Sequence, residues 1–163
     1  MLKKYFYCFV IAMVPLIELR GAIPIAQAFH VADPSFNMIL AYILIAIGNM
    51  IPVPFIFFFA RRVLEWGADK RVIGKFFTWC LEKGHKGGEK LKATAGRGLY
   101  WALLLFVGIP LPGTGAWTGT LAASFLDMDF KKSVLAVLGG VALAGVIMAV
   151  LSFAVASGVT AIG

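Results

Sequence analysis

Glu18 and Arg20 stand two residues apart inside an apolar stretch that runs from Tyr5 to Phe29. Ionisable side chains at membrane depth are costly, and they survive mainly where they face a bundle interior or a watery cavity. A carboxylate in such a place suits proton uptake and release, whereas a guanidinium suits an anion or a carboxylate. We predict that Glu18 carries a proton and that Arg20 binds an anionic group. The alternative is a static buried network.

The spacing of the two charges limits how they interact. On one helix, residues two apart point about 200° away from each other, so the side chains cannot pair there. At least one must find a partner elsewhere, unless the backbone is unwound. Arg20, Pro24 and Gln27 would share a face, and Gly21 lies beside it. Asn49 is expected to face the same cavity or to hydrogen-bond to another helix.

A second polar motif follows a dense run of Pro and Gly from Gly108 to Gly115, which includes Pro110 and Pro112. The segment Pro112-Gly113-Thr114-Gly115 predicts the start of a half-helix, whose free N–H groups and dipole favour an anion such as phosphate. Thr114 and Thr118 are one turn apart and could hydrogen-bond a ligand. Trp117 would line the cavity or anchor packing, and helix packing alone is the alternative for the motif.

Composition identifies the surroundings in which these residues must work. The 163-residue chain is 61% hydrophobic and 14% charged, and its mean hydropathy is +0.90. A soluble domain of this length could not bury so much apolar surface. The sequence therefore predicts an all-α integral membrane protein.

Four apolar blocks are long enough to cross the hydrocarbon core. They run from Tyr5 to Val31, from Phe36 to Ala60, from Leu99 to Leu126 and from Ser133 to Ile162. The second and fourth read as plain spans. The first and third are interrupted by Pro and Gly, so each is predicted to be two half-helices with a turn inside the molecule.

The alternation of a broken block and a plain span indicates an internal repeat. A shift of 94 residues places Gly21-Ala22 on Gly115-Ala116. Paired interrupted segments at matching positions are typical of transporters with a binding site near the midplane. We predict one membrane domain over 1–163, with repeat one at 1–60, a basic linker at 61–97 and repeat two at 98–163. The repeats are expected to be inverted re-entrant hairpins, each followed by a span. Full crossing by both broken blocks fits the charges equally well.

The basic linker holds most of the net charge. It contains ten Lys and Arg against four acids, which gives +6 of the total +7. By the positive-inside rule, we predict that 61–97 is cytoplasmic and faces anionic headgroups. Apolar positions recur with a helical period from Arg71 to Lys83, which predicts an interfacial amphipathic helix. A solvated helix packed on a partner is the alternative.

Several classes of function lack their signatures in this sequence. Cys8, Cys80, His30 and His85 are isolated, so we expect no metal site. We also expect no cofactor and no nucleic-acid partner, because no nucleotide fingerprint or recognition motif accompanies the charge. The second motif has no His, Cys or carboxylate to act as a nucleophile or base, so we do not expect an enzyme.

Two motifs carry a resemblance that covers nearly the whole chain. The segments from Glu18 to Pro24 and from Gly108 to Gly119 resemble the small multidrug export protein family, related to the DedA and VTT membrane proteins. The resemblance implies two inverted re-entrant hairpins plus spans. It also implies proton-dependent movement of lipids such as undecaprenyl phosphate. The DedA pattern has an arginine near the prolines of its second hairpin, where this chain has Gly-Thr.

The leading prediction is a transporter or lipid flippase in a prokaryotic inner or plasma membrane. It would move an anionic or amphipathic substrate, with polyprenyl-phosphate lipid favoured, and would couple that movement to protons. Efflux of cationic drugs and a non-transporting membrane scaffold are the alternatives. Membrane lipids are the expected surroundings, and a homodimer is expected without being derived from the sequence.

Overall fold

The computed structural model describes residues 1–70, 74–75, 77–79, 81–82, 86, 89 and 98–162. Within these residues the chain is helical and has no strand. Of the amphipathic helix predicted from Arg71 to Lys83, residues 71–73, 76, 80 and 83 lie outside the described residues, and the other seven are helical. The helices are α1 (Leu2–Met13), α2 (Glu18–Ala32), α3 (Met38–Met50), α4 (Pro52–Phe55), a π-helix (Ile56–Ala60), α5 (Arg61–Ala68), α6 (Leu99–Gly108), α7 (Ala116–Phe125) and α8 (Phe130–Ile162).

Within the part of the chain that the structure describes, two helical stretches are long and apolar enough to cross a membrane, and the helical fold without strands confirms the predicted all-α class. They are Met38–Phe59, of 22 residues, and Phe130–Gly158, of 29 residues. The first, called the first span below, runs through α3, α4 and the π-helix. Its 22 residues rise about 33 Å, which matches the thickness of a hydrocarbon core.

The first broken block folds back on itself. The turn occupies residues 14–17, and α2 continues from Glu18 through Pro24, whose missing N–H leaves the Arg20 carbonyl without its helical donor. Lys4 Nζ lies 2.9 Å from Asp33 Oδ2, so the start of α1 lies beside the end of α2. With 12 residues, α1 rises about 18 Å, too little to cross a bilayer alone.

The Lys4–Asp33 pair closes the open end of this first hairpin. Ser35 and Lys4 hydrogen-bond to the Asp33 carboxylate and lower its pKa to about 2. A lowered pKa in the folded state means that the pair stabilises the fold fully above the ordinary pKa of 3.8. This stabilisation is lost as the pH falls toward about 2. The Asp33 carboxylate at the open end therefore stays ionised near neutral pH.

The second broken block folds back in the same way, around residues 109–115. Each hairpin ends in a residue that caps the following long helix: Asn37 accepts from Leu40 N (3.1 Å) and Asp129 from Lys132 N (2.9 Å). The backbone N–H of each capping residue donates to a tyrosine hydroxyl near the start of its hairpin. These distances are 2.8 Å from Asn37 to Tyr5 and 3.3 Å from Asp129 to Tyr100. The order of elements and this closure thus occur twice.

The two open ends lie at opposite ends of the first span. The first hairpin closes beside Asn37, immediately before the span begins. The second hairpin closes beside Phe130, whose ring packs against Phe57 (5.2 Å between centroids) and Phe58 (4.6 Å), where the span ends. Between the two halves, α2 packs against α8 and α7 packs against the π-helix.

Removing the two tyrosine hydroxyls tests this repeated closure. Tyr5→Phe and Tyr100→Phe each delete the acceptor for one backbone N–H, so each is expected to destabilise the fold by about 1 kcal/mol. Tyr7→Phe is the control, because Tyr7 is 53% exposed and packs edge-on against Phe29. The measurement is the thermal unfolding midpoint in one detergent. If Tyr5→Phe or Tyr100→Phe shifted the unfolding midpoint no more than Tyr7→Phe does, the hydrogen bond assigned to that hydroxyl would be contradicted.

Candidate functional site

The tip of the first hairpin has an unusual backbone. Leu16 and Glu18 have φ angles of 70° and 51°, in the left-handed region that non-glycine residues rarely adopt. Such a conformation costs of order 1 kcal/mol or more at each residue, so surrounding contacts must hold it in place. At Glu18 those contacts come from the second hairpin.

Glu18 caps the N-terminus of α7. Its carboxylate accepts from the backbone N–H of Ala116 (3.2 Å) and of Trp117 (3.0 Å). Glu18 is only 3% exposed. The two N–H groups and the positive end of the helix dipole offset the cost of removing the charge from water. The free N-terminus that the sequence predicts to favour an anion thus holds the chain's own carboxylate.

Gly115 makes this approach possible. Its φ of 132° and ψ of −176° lie in a region that is essentially restricted to glycine. A Cβ atom on Gly115 would overlap the Glu18 carboxylate. Gly113 also has a positive φ, of 81°, but a Cβ atom there would meet nothing within 4 Å. Both conformational freedom and lack of bulk are therefore required at Gly115, and only conformational freedom at Gly113.

Arg20 binds the loop of the second hairpin. Its guanidinium donates to the carbonyl oxygen of Leu111 and, over 2.7 Å, to Thr114 Oγ1. Thr114 Oγ1 also lies 3.0 Å from the Ile109 carbonyl oxygen, so the loop's own polar groups are linked. Backbone carbonyl groups that lie outside a regular helix need other hydrogen-bond donors. Arg20 supplies one from the other half of the chain.

Glu18 and Arg20 do not form an ion pair with each other. Each instead reaches the second hairpin, Glu18 at the start of α7 and Arg20 at the loop that precedes it. This arrangement agrees with the geometric expectation that the side chains of residues two positions apart on a helix cannot pair with each other. Two charged groups on the tip of one hairpin thus hold the tip of the other.

The structure brings some of the other predicted residues to this contact and leaves others away from it. Thr114 and Gly115 lie in it, and Thr118 Oγ1 lies 3.4 Å from the Gly115 carbonyl oxygen. Pro24 is exposed, and Gln27 makes no hydrogen bond to Glu18 or Arg20. Gly21 packs against Ile17 within its own hairpin. Pro110 and Pro112 shape the second loop.

Several buried side-chain polar atoms in the described part of the chain lack a hydrogen-bond partner. Both amide atoms of Asn49 are buried without a hydrogen bond, as are Trp117 Nε1 and Thr120 Oγ1. Asn49 is 0% and Thr120 1% exposed. Sequence reasoning missed Thr120, whose only signal was its position one turn after the start of a predicted half-helix.

Comparison with known proteins identifies one family. Residues 18–147 match the family model described as "Putative small multi-drug export protein". The matched range begins at Glu18 and contains every residue of the contact between the hairpin tips. Searches of curated proteins and of solved structures found no match. The relationship to the DedA and VTT proteins stays a prediction.

A double-mutant cycle tests the contact between Glu18 and Gly115. Gly115→Ala should destabilise the protein in part by displacing the carboxylate, so its cost should shrink by roughly 1–3 kcal/mol when Glu18 is already alanine. Gly113→Ala is the matched control, since it strains the same loop without touching Glu18. Its cost should be equal in both backgrounds. Unfolding midpoints in detergent provide the readout, and additive costs for Gly115→Ala and Glu18→Ala would count against the contact.

Proposed function

This chain belongs to the family of small multi-drug export proteins, and from that premise we propose that it is a proton-coupled membrane transporter of an amphipathic anion. The family assignment and the two apolar helices support an export role in a membrane. The observation that carries the proposal is the Glu18 carboxylate bound to the N-terminus of α7, because it joins two interrupted hairpins through a group that can be protonated.

In the proposed arrangement the hairpins enter the membrane from opposite faces. Their helices are too short to span it singly, and their open ends lie at the two ends of the first span. Their tips meet each other through Glu18 and Arg20, as expected if both reach the midplane. The two halves would then be inverted repeats, the architecture typical of secondary transporters.

The same contacts favour one orientation. Phe130 packs on Phe57 and Phe58, so Lys131 and Lys132 lie at the end of the first span where Arg61 and Arg62 follow. All of these cations then share a face with the linker 61–97, which the positive-inside rule assigns to the cytoplasm. If both broken blocks crossed fully, Lys131 would lie on the opposite side.

Single cysteines distinguish these topologies in a background with Cys8 and Cys80 replaced. Lys131→Cys and Lys70→Cys should react with a membrane-impermeant maleimide from one side, the cytoplasmic side. Lys3→Cys and Ser35→Cys should react from the other. The comparison uses intact cells and inverted vesicles. Labelling of positions 131 and 35 from the same side of the membrane would contradict the re-entrant arrangement. Labelling of positions 3 and 70 from the same side would contradict it as well.

The proposed proton coupling depends on the contact between the Glu18 carboxylate and the N-terminus of α7. Protonation of Glu18 removes the negative charge that the α7 N-terminus attracts, which weakens both hydrogen bonds. The freed N–H groups of Ala116 and Trp117, with the guanidinium of Arg20, then form a site for an anionic group. Release of the proton restores the carboxylate, which competes with the bound anion for the same donors. Proton and substrate therefore bind together and leave together.

The charge of the substrate is inferred from the same donors. A cationic drug placed beside Glu18 would face Arg20 and two N–H groups, all of which repel positive charge. An anionic amphipath meets favourable charge there, and its apolar part would lie against the lipid-facing helices. A lipid phosphate, such as a polyprenyl phosphate, combines both features and is the substrate class we favour.

Replacement of Glu18 tests the coupling in liposomes that contain NBD-labelled phosphatidate as the probe. Wild-type protein should move the probe between leaflets at a rate that rises with a proton gradient. The movement is measured by bleaching the exposed NBD label with dithionite. Glu18→Gln should lose the dependence on the gradient, because glutamine cannot exchange a proton. Asp33→Asn is the control, a carboxylate at the open end of the hairpin, and should retain it.

The same assay separates the alternatives. Gradient dependence that survives in Glu18→Gln would refute the role of Glu18. Gradient-driven movement of ethidium without movement of the labelled phosphatidate would favour cationic drug efflux instead. Movement of neither probe would favour the scaffold.

A further inference from the structure

A cleft of about 680 Å³ opens along α1, with one wall residue contributed by α3. Its volume lies within the range of about 300–1,000 Å³ that is usual for ligand sites. The walls are aromatic and aliphatic, and among the described residues that line the cleft Lys3 is the only charged one. The apolar walls include Leu2, Phe6, Phe9 and Val10 of α1 and Leu44 of α3.

The cleft lies on the outer face of the first hairpin. Val10 is two residues from both Cys8 and Ala12, which are 0% exposed, so its side chain points about 200° away from that buried face. Val10 itself is 39% exposed, and Phe6 is 65% exposed. In the proposed membrane arrangement this face meets lipid, so acyl chains lie against the apolar walls.

The cleft begins at the open end of the hairpin and follows α1 inward. Lys3 precedes Lys4, whose ammonium pairs with Asp33 at that open end. From Lys3 to Val10, α1 rises about 10 Å. An apolar slot of this depth, with a cation at its mouth, has the order of groups that a lipid presents at the membrane interface.

Lys3 and Lys4 differ in what their ammonium groups contact. Lys4 Nζ lies 2.9 Å from Asp33 Oδ2 and 5.7 Å from the centre of the Phe29 ring. Lys3 is exposed and forms no ion pair with any other described residue. A lysine can lay its methylene groups along an apolar surface and hold its charge at the level of the headgroups. Lys3 is therefore able to bind an anion at the mouth of the cleft.

We propose that this cleft binds one phospholipid with an anionic headgroup, whose acyl chain lies in the slot and whose phosphate binds Lys3. Cations near a membrane surface attract anionic lipids in this way. In the proposed topology, the lipid belongs to the leaflet opposite the linker 61–97. The site is separate from the contact at Glu18 and goes beyond the proposed transport, because it requires only that the chain lies in a membrane.

Charge favours a lipid over a second copy of the chain. Two copies related by a two-fold axis along the membrane normal present the same surface to each other. A dimer formed through the cleft would therefore place both Lys3 ammonium groups at the same level of one interface, where they repel. A neutral lipid would fill the slot but leave Lys3 without a counter-charge. An anionic lipid meets both requirements.

Lipid titrations of the full chain in detergent test this site, with bound lipids counted by native mass spectrometry. The probes are dioleoyl phosphatidylglycerol and dioleoyl phosphatidylcholine, which have the same chains and differ in net charge. The wild type should bind one phosphatidylglycerol more tightly than any phosphatidylcholine. Lys3→Gln should weaken that binding about fivefold, the contribution of one cation near the membrane surface. Lys131→Gln is the matched control, because it removes an exposed cation at the start of α8 and should leave the affinity unchanged.

A second variant tests the slot itself. Val10→Trp places a large side chain in the cleft and should abolish the tight binding of phosphatidylglycerol. Val146→Trp is its control, since Val146 is 64% exposed on α8 and does not line the cleft. If Val10→Trp fails to fold, Lys3→Gln and Lys131→Gln decide the question.

Four results would overturn the proposal. They are equal affinity of the wild type for the two lipids, equal losses in Lys3→Gln and Lys131→Gln, tight binding that survives in folded Val10→Trp, and a wild-type dimer that Val10→Trp dissociates. The last result would assign the cleft to a second copy. Failure of the proposed transport would leave these measurements unchanged, because none of the variants alters Glu18 or Arg20.

Discussion

The hydrogen bonds from the α7 N-terminus to the Glu18 carboxylate are the contact on which the arrangement of the two halves depends. A buried carboxylate is unfavourable in an apolar core unless donors surround it, and α7 supplies two N–H groups and its dipole. Those donors would otherwise be unsatisfied at the start of a buried helix. Each hairpin tip thus meets a requirement of the other, and neither could be buried alone at the same cost.

Other features of the molecule follow from this need. The left-handed backbone at Glu18 aims the side chain across the interface, and Gly115 leaves room for it. Arg20 binds the loop that leads into α7, which keeps the Pro and Gly residues of that loop in place. At the far ends of the hairpins, Tyr5 and Tyr100 close the two hairpins in the same manner.

The sequence predicted the candidate site better than it predicted the contacts within it. Charge in an apolar block identified Glu18 and Arg20, and the density of Pro and Gly located the second turn at 109–115, because both signals are local. The partners of the two charges lie 98 and 94 residues away, and no local pattern encodes such a pairing. Sequence reasoning therefore left an external anion at the start of α7, where the structure places Glu18. The Pro and Gly residues of the first broken block predicted a turn between two half-helices without locating it relative to the charged pair. In the structure α2 already begins at Glu18 and tolerates Pro24, since a proline removes a single helical hydrogen bond. Thr120 went unnoticed because one hydroxyl in an apolar helix leaves no periodic signal.

The backbone amide protons of Ala116 and Trp117 report most directly on the central contact. In nitrogen-15-labelled protein, an amide that donates to a carboxylate changes its chemical shift when that carboxylate is protonated. The account predicts that both amides titrate together with pH, at the midpoint of Glu18 itself, and that the titration disappears in Glu18→Gln. Flat shifts across the titration of Glu18, or a pH-dependent change that persists in Glu18→Gln, would show that the two hairpin tips are not joined through this carboxylate.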